Sequence, residues 1–297
     1  MRDMLRYYGA VMTAIVFWGA SYIVTALAYE TIAPLQLGFV RAALAALLFF
    51  VFMALTGVRE KPSRGDLPYF AVSGLFGVTL YFACQNVGLS LTSSTNAVLI
   101  VACYPVITLV MESIGHRVMP SARQLLGILI AVAGVRILTG TGGTAGSNVL
   151  LGDILLLGSG VMWGFYSLTT QKIADRYATS TLTAWQMLFG ALFFIPFVLY
   201  EGRPWLMPTV KSGLSILFLA VCCSLTSFLC YNYSLRGISV TTATSLLNLM
   251  PVVGLICANA VLHESVTAMQ LLGGAVIIAG VLVSTTGPAA GKKNSSE

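Results

Sequence analysis

Cys84-Gln85-Asn86-Val87-Gly88-Leu89 opens a stretch that returns, beginning at residue 230, as Cys230-Tyr231-Asn232-Tyr233-Ser234-Leu235. At the same offset Ser93, Thr95 and Ala97 recur as Ser239, Thr241 and Ala243, and Pro105-Val106 recurs as Pro251-Val252. Gln124-Leu125-Leu126-Gly127 comes back as Gln270-Leu271-Leu272-Gly273, and Ala133-Gly134-Val135 as Ala279-Gly280-Val281. Further out, Trp18-Gly19 matches Trp163-Gly164, so the duplication reaches nearly the whole chain. A hydrophobic chain written twice points to a duplicated membrane protein, and such duplication is a known way to build a transporter.

Composition agrees. The chain is 57% hydrophobic and only 9% charged, with a mean hydropathy of +0.89, whereas soluble domains carry about 25% charged residues. A net charge of +6 could suggest nucleic acid, but the cations form no stripe; they sit in short gaps between apolar runs, and no nucleic-acid partner is expected. The six cysteines all lie inside apolar runs and read as small hydrophobes rather than disulfides or metal ligands. No phosphate-binding loop, HExxH or GxSxG motif is present, so no enzyme, cofactor or metal site is expected.

Crossing a hydrocarbon core of roughly 30 Å takes about 20 helical residues. Ten apolar runs satisfy this: 8–28, 35–56, 68–88, 94–114, 123–141, 153–172, 181–200, 212–235, 240–261 and 268–286. The first is read as a retained span rather than a cleaved signal. With a cytoplasmic N-terminus (1–7), the inner gaps hold 12 Lys and Arg and the outer gaps only Arg203 and Lys211, a clear positive-inside bias. Five spans per copy is odd, so the second copy enters the membrane inverted. The sequence therefore predicts an all-α membrane protein of ten transmembrane helices in two inverted five-helix repeats, 8–141 and 153–286. A connection at 142–152 and a disordered cytoplasmic tail at 287–297 complete it.

Chemistry in such a chain is sought among polar side chains at mid-depth. Trp18, Ser21 and Tyr22 share one face of the first span, and Trp163 and Tyr166 take similar places in the sixth. Tyr81 and Gln85 lie one turn apart in the third span, and Tyr231-Asn232 echoes Gln85-Asn86 in the eighth. Asn96 and Tyr104 belong to the fourth span and Asn248 to the ninth. Amides and hydroxyls unsatisfied by lipid must face protein or a watery cavity, so pocket lining and helix–helix contact both remain open. Pro105 and Pro251 stand at equivalent depths, where bends suit gating. Gly127, Ala131 and Gly134 in the fifth span, with Gly273, Ala275, Ala279 and Gly280 in the tenth, mark close packing within or between protomers.

Arg41 and Arg136 are near enough to span ends to snorkel toward headgroups or to form architectural pairs, the alternative being a direct role. Glu112 and His116, one turn apart near the inner face, suit an interfacial pair or proton coupling. No Asp or Glu lies at mid-depth. That argues against a cationic substrate and is compatible with an uncharged, zwitterionic or aromatic one.

The doubled five-span unit, the two Trp-Gly pairs, Pro34 followed by Arg41, the prolines Pro105 and Pro251, and the endings Gln124 to Val135 and Gln270 to Val281 together resemble EamA-type members of the drug/metabolite transporter superfamily. The resemblance covers nearly all of 8–286. It implies a central cavity between the first, third, fourth, sixth, eighth and ninth spans, and an acidic residue before the last helix of each half. Glu264 fits that position in the second copy, while Val118 occupies it in the first. The function implied is transport of a small-molecule substrate, with amino acids or related amphipathic solutes foremost, by alternating access across the cytoplasmic membrane. Export is the favoured direction, membrane lipid the surroundings, and monomer or homodimer the assembly. The rival readings are a non-transporting membrane interaction or sensor protein, and a channel or scramblase.

Overall fold

The computed structural model describes residues 2–91, 100–116, 119–139, 148–262 and 267–285, and among them every regular element is helical. In chain order these are α1 (Arg2–Ala28), α2 (Pro34–Leu55), α3 (Leu67–Gly74), α4 (Tyr81–Leu91), α5 (Tyr104–His116), α6 (Ala122–Thr139) and α7 (Val149–Ile173). After them come α8 (Thr179–Glu201), α9 (Val210–Phe218), α10 (Ser227–Ser234), α11 (Val240–Leu247), α12 (Met250–Leu262) and α13 (Ala268–Thr285). Seven stretches are long and apolar enough to cross a membrane: Pro34–Leu55, Leu67–Leu89, Val149–Ile173, Thr179–Glu201, Val210–Ser234, Val240–Cys257 and Ala268–Thr285. Ile100–Gly115 is a shorter apolar helix. The protein is a helical membrane protein.

Two kinds of interruption occur in matched pairs. A π-helical turn, Leu75–Leu80, joins α3 to α4, and another, Leu219–Thr226, joins α9 to α10. Such turns free backbone carbonyls for other partners and recur at functional sites. The second pair lies at the prolines. Pro105 and Pro251 are each the second residue of a helix, α5 and α12, where a missing N–H costs nothing. Just before them the chain tightens through short turns: Cys103 N–H donates to Ile100 O at 3.0 Å, and Leu249 N–H to Leu246 O at 3.0 Å. Each proline therefore restarts a broken helix rather than bending a continuous one.

The halves are interleaved. α1 packs on α10, α4 on α7, α2 on α8, α5 on α11, and α6 on α13. The α6–α13 seam is backbone against backbone: a Cβ added at Gly127 would lie 2.7 Å from Gly280 O, one at Gly280 2.7 Å from Gly127 O, and one at Gly134 3.0 Å from Gly273 O. Gly127 meets Gly280 while Gly134 meets Gly273, so the two helices run antiparallel. These glycine faces are consumed inside one chain, whereas Ala275 and Ala279 are exposed on the other side of α13.

Carboxylates link the halves across helix ends. Both oxygens of Glu201, at the end of α8, accept the backbone N–H groups of Leu35 and Gln36 at 3.1 Å, capping α2. Glu60, beyond the end of α2, accepts Ala178 N–H at 2.8 Å and caps α8. Orphan N–H groups and the helix dipole favour an anion at both places. Before α3, Asp66 accepts hydrogen bonds from Tyr177 Oη and Arg176 Nη1, both at 2.7 Å. The Tyr177 hydroxyl, then Ser63 and the Arg176 guanidinium, hold its carboxyl below the usual carboxylate range.

Gly280→Ala should destabilise the protein by about 1–3 kcal/mol through overpacking, while Gly158→Ala, with open space around its Cβ, should be neutral or slightly stabilising; thermal unfolding of the purified protein in detergent reads both. A depressed carboxyl contributes stability that is complete above the unfolded pKa of about 3.9 and is lost as pH falls through the lower, folded value. The stability gap between wild type and Asp66→Asn should therefore be present at neutral pH and close on acidification below about pH 4, measured by unfolding across a pH series.

Candidate functional site

Where the interleaved halves meet lies a cavity of about 300 Å³, at the small end of ligand pockets. Its inner wall is aromatic. Trp18 and Trp163 meet edge to face with centroids 5.5 Å apart, Tyr81 lies 5.0 Å from Trp163, and Phe82 and Phe228 are 6.1 Å apart. Trp18 and Trp163 occupy matching places in the two copies, as do Phe82 and Phe228. Edge-to-face pairs of this kind are worth about 0.5–1.5 kcal/mol each beyond burial. The Trp18 indole is fixed by donating to Cys223 O at 2.9 Å, a carbonyl of the second π-helical turn.

Polar groups enter from several elements. Ser21, Thr25 and Tyr29 line the cavity from α1 and its end, Gln85 and Asn86 from α4, Tyr104 from α5, and Thr244 from α11. Gln85 Nε2 donates to Tyr81 Oη at 2.9 Å, and Asn86 Nδ2 to Pro34 O at 3.0 Å. Ser21 donates to its own helix, to Trp18 O, at 2.7 Å. Among the described residues the one cation in the wall is Arg41. Contrary to the snorkelling reading of it, Arg41 is 5% exposed, donates from Nε to Ser224 Oγ at 2.8 Å, and lies over the Phe82 ring at 4.4 Å. The short distance along α2 to the helix end is overridden because the π-helical turn presents Ser224 inward.

Of the sequence candidates, Trp18, Ser21, Tyr81, Gln85, Tyr104 and Trp163 come together around this cavity. Tyr166, Tyr231 and Asn232 do not line it; they lie on the far side of the Trp163 ring in a closed polar cluster. Tyr166 Oη donates to Asn232 Oδ1 at 2.6 Å, Asn232 Nδ2 to Gln186 Oε1 at 2.9 Å and to Thr183 Oγ1 at 3.0 Å, and Gln186 Nε2 to Thr170 Oγ1 at 2.8 Å and Ser73 Oγ at 3.0 Å. Tyr231 and Ser167 hydroxyls pair at 2.9 Å. Their donors and acceptors are satisfied by protein, which is why they are not free for a solute.

Asn248 also stands apart. It is buried in the break between α11 and α12, and its Nδ2 has no hydrogen-bond partner among the described residues. Glu112 does not act in a span-end pair alone: its Oε2 accepts Thr241 N–H at 2.9 Å and so caps α11. Arg136 is exposed in the last turn of α6. Asn96 and Glu264 lie outside the described residues, as do the side chains of Tyr22 and His116.

Sequence reasoning passed over Thr25, Tyr29, Phe82, Phe228 and Gln186. Two signals were available. Phe82 and Phe228 are a repeat pair, and Gln186 is an amide in the middle of an apolar run.

The model of the EamA-like transporter family matches twice, over residues 5–140 and 150–286. The chain belongs to the EamA-like transporter family. Among relatives of this EamA-like protein, an uncharacterized transporter of Archaeoglobus fulgidus is 28% identical, covering 90% of this chain and 93% of its own. A probable terminal-alkyne amino-acid exporter of Streptantibioticus cattleyicolor is 25% identical over 92% of this chain and 91% of its own. An uncharacterized inner membrane transporter of Escherichia coli is 26% identical over 96% and 92%. A solved crystal structure superposes with a TM-score of 0.78 at 18% identity, covering 93% of this EamA-like chain and 95% of that one, which speaks for the fold.

Gln186→Met should lower stability by at least about 1–3 kcal/mol, because Asn232 and Thr170 lose a buried partner that the thioether cannot replace. Thermal unfolding in detergent measures the loss.

Proposed function

We propose that the protein is a secondary transporter that carries a small metabolite across the cytoplasmic membrane by alternating access, working as an exporter with both termini in the cytoplasm. The observation that carries this reading is the cavity walled by both halves at once, with Trp18 and Trp163 at its base. The ten-crossing count follows from taking α1, the Ile100–Gly115 helix and α6 as crossings beside the seven apolar stretches. Two inverted copies, 8–141 and 153–286, then give each half the same pair of conformations in opposite orientation.

In this topology the cavity occupies the outer half of the membrane, between the ends of α1 and α4 and the start of α2. The Tyr166–Asn232–Gln186 cluster seals the inner half. The cycle opens that cluster and closes the cavity, with the chain breaks before Pro105 and Pro251 as gating points. Each break leaves a helix that can pivot without a lost hydrogen bond. An amino acid or related amphipathic solute is favoured by the mixed aromatic and amide wall and by the name of the Streptantibioticus cattleyicolor relative, a probable amino-acid exporter. Among the described residues no carboxylate is in the cavity wall, and Glu112 is engaged with α11, so proton coupling through Glu112 would have to break that cap.

A broad screen of uncharged, zwitterionic, anionic and cationic metabolites in reconstituted liposomes tests the reading. At least one solute should show saturable counterflow, reduced tenfold or more by Trp18→Ala and by Gln85→Leu. Flux that is normal in both variants would remove the cavity from the pathway. Non-saturable flux near diffusive rates would mark a channel, lipid exchange between leaflets a scramblase, and no flux at all an interaction or sensor protein.

A further inference from the structure

Arg41 has more donors than the protein uses. Its Nε is held by Ser224 and its face by Phe82, but among the described residues no acceptor takes a hydrogen bond from its two terminal nitrogens and no carboxylate pairs with it. Arg41 as a residue is only 5% exposed, and a guanidinium so buried, with no counterion among the described residues, is an expensive arrangement. It is sustained where the charge faces a site that an anion occupies. Arg41 faces such a site, because it lines the cavity. Tyr29 lines the same cavity, and its buried hydroxyl has no hydrogen-bond partner among the described residues.

Resting on the transport reading above, we propose that Arg41 is the anchor for a carboxylate on the transported solute, so that the cavity receives small organic monocarboxylates, zwitterionic amino acids among them. The anchoring geometry follows from what is already fixed. Ser224 and Phe82 orient the guanidinium plane, leaving the terminal nitrogens to meet a carboxylate in the paired fashion that arginine favours. A phosphate dianion is disfavoured because Arg41 is the only Lys or Arg among the described residues of the wall. The rest of the solute packs on Trp18, Trp163 and Phe228. An ammonium group, where present, finds the Gln85 amide oxygen and the faces of the indoles.

The test is proteoliposome counterflow with L-phenylalanine, L-leucine, L-threonine, L-lactate and 3-phenylpropionate, each against its primary amide, at about pH 8.5, where amino-acid amides are largely uncharged. At least one acid should move, with its amide slower by about tenfold or more, the scale of one lost charge-assisted contact. Arg41→Gln should bring the acid down to the rate of the amide, and Arg41→Lys should recover part of the difference.

Should Arg41→Gln fail to fold, Ser224→Ala serves instead. It keeps the charge but releases its orientation, and should raise KM for the acid severalfold while leaving the amide unaffected. Equal rates for acid and amide, a preference that survives Arg41→Gln, or an unchanged KM in Ser224→Ala each overturn the inference. Movement of none of the five acids overturns it too. In that case the broad metabolite screen decides separately whether transport stands, since flux of an uncharged or cationic solute would preserve the transporter and remove only the carboxylate anchor.

Discussion

Backbone contact between α6 and α13 is the constraint around which the rest of the molecule is arranged. Lipid tails are as apolar as leucine, so nothing resembling the hydrophobic effect drives two such helices together within a bilayer. What remains is dispersion, which falls steeply with separation. Glycine at 127, 134, 273 and 280 lets the two backbones approach to within contact, at positions that a single methyl would close. The pairing of Gly127 with Gly280 and Gly134 with Gly273 is reciprocal under the repeat. One duplicated glycine pattern therefore supplies both sides of the joint, and it is long enough to hold the two copies together along one edge of the molecule.

The same reciprocity governs the helix ends. Glu201 of the second copy caps α2 of the first, and Glu60, following α2, caps α8. Neither carboxylate is a repeat partner of the other in sequence. The symmetry of the interaction is physical: a helix N-terminus needs an anion whichever half supplies it. Glu112 breaks the pattern. It caps α11 from the first half, yet its repeat counterpart is Ala258, which cannot reciprocate. The cap on one side of the broken helices thus carries a charge for which the other copy holds no equivalent.

The long apolar helices were legible in the sequence because apolar length and turn residues are local properties, and the paired glycines of the seam were legible because a side chain at Gly127 or Gly273 would meet backbone. The site was legible only in part. Trp18, Tyr81, Gln85, Tyr104 and Trp163 combine polarity or aromaticity with mid-depth placement, and they do meet in the cavity. Tyr166 and Asn232 have the same signature but lie beyond Trp163, where Gln186 satisfies them. A one-dimensional pattern cannot tell a polar atom facing a void from one facing an amide on a distant helix. The choice among the readings of Arg41 was hidden for a related reason: depth along α2 measures how near the side chain is to the end of its own helix, whereas its Nε is held by Ser224, 183 residues away.

The two copies therefore share a scaffold and differ in what they enclose. Asn86 and Asn232 are counterparts, yet the first lines the cavity and holds the carbonyl of Pro34, while the second is locked among Tyr166, Thr183 and Gln186. Arg41 has Gln186 as its counterpart, at the 145-residue offset that also pairs Trp18 with Trp163 and Ala33 with Ala178, so the charge exists on one side only. A cavity lined alike by both halves would present the same chemistry twice and would not distinguish one end of a bound molecule from the other. One cation, Arg41, set beside aromatic side chains drawn from both halves gives the cavity a charged part and an apolar part. In the transport cycle proposed above, a solute with a matching polarity has one preferred orientation, set by a charge that stays with α2.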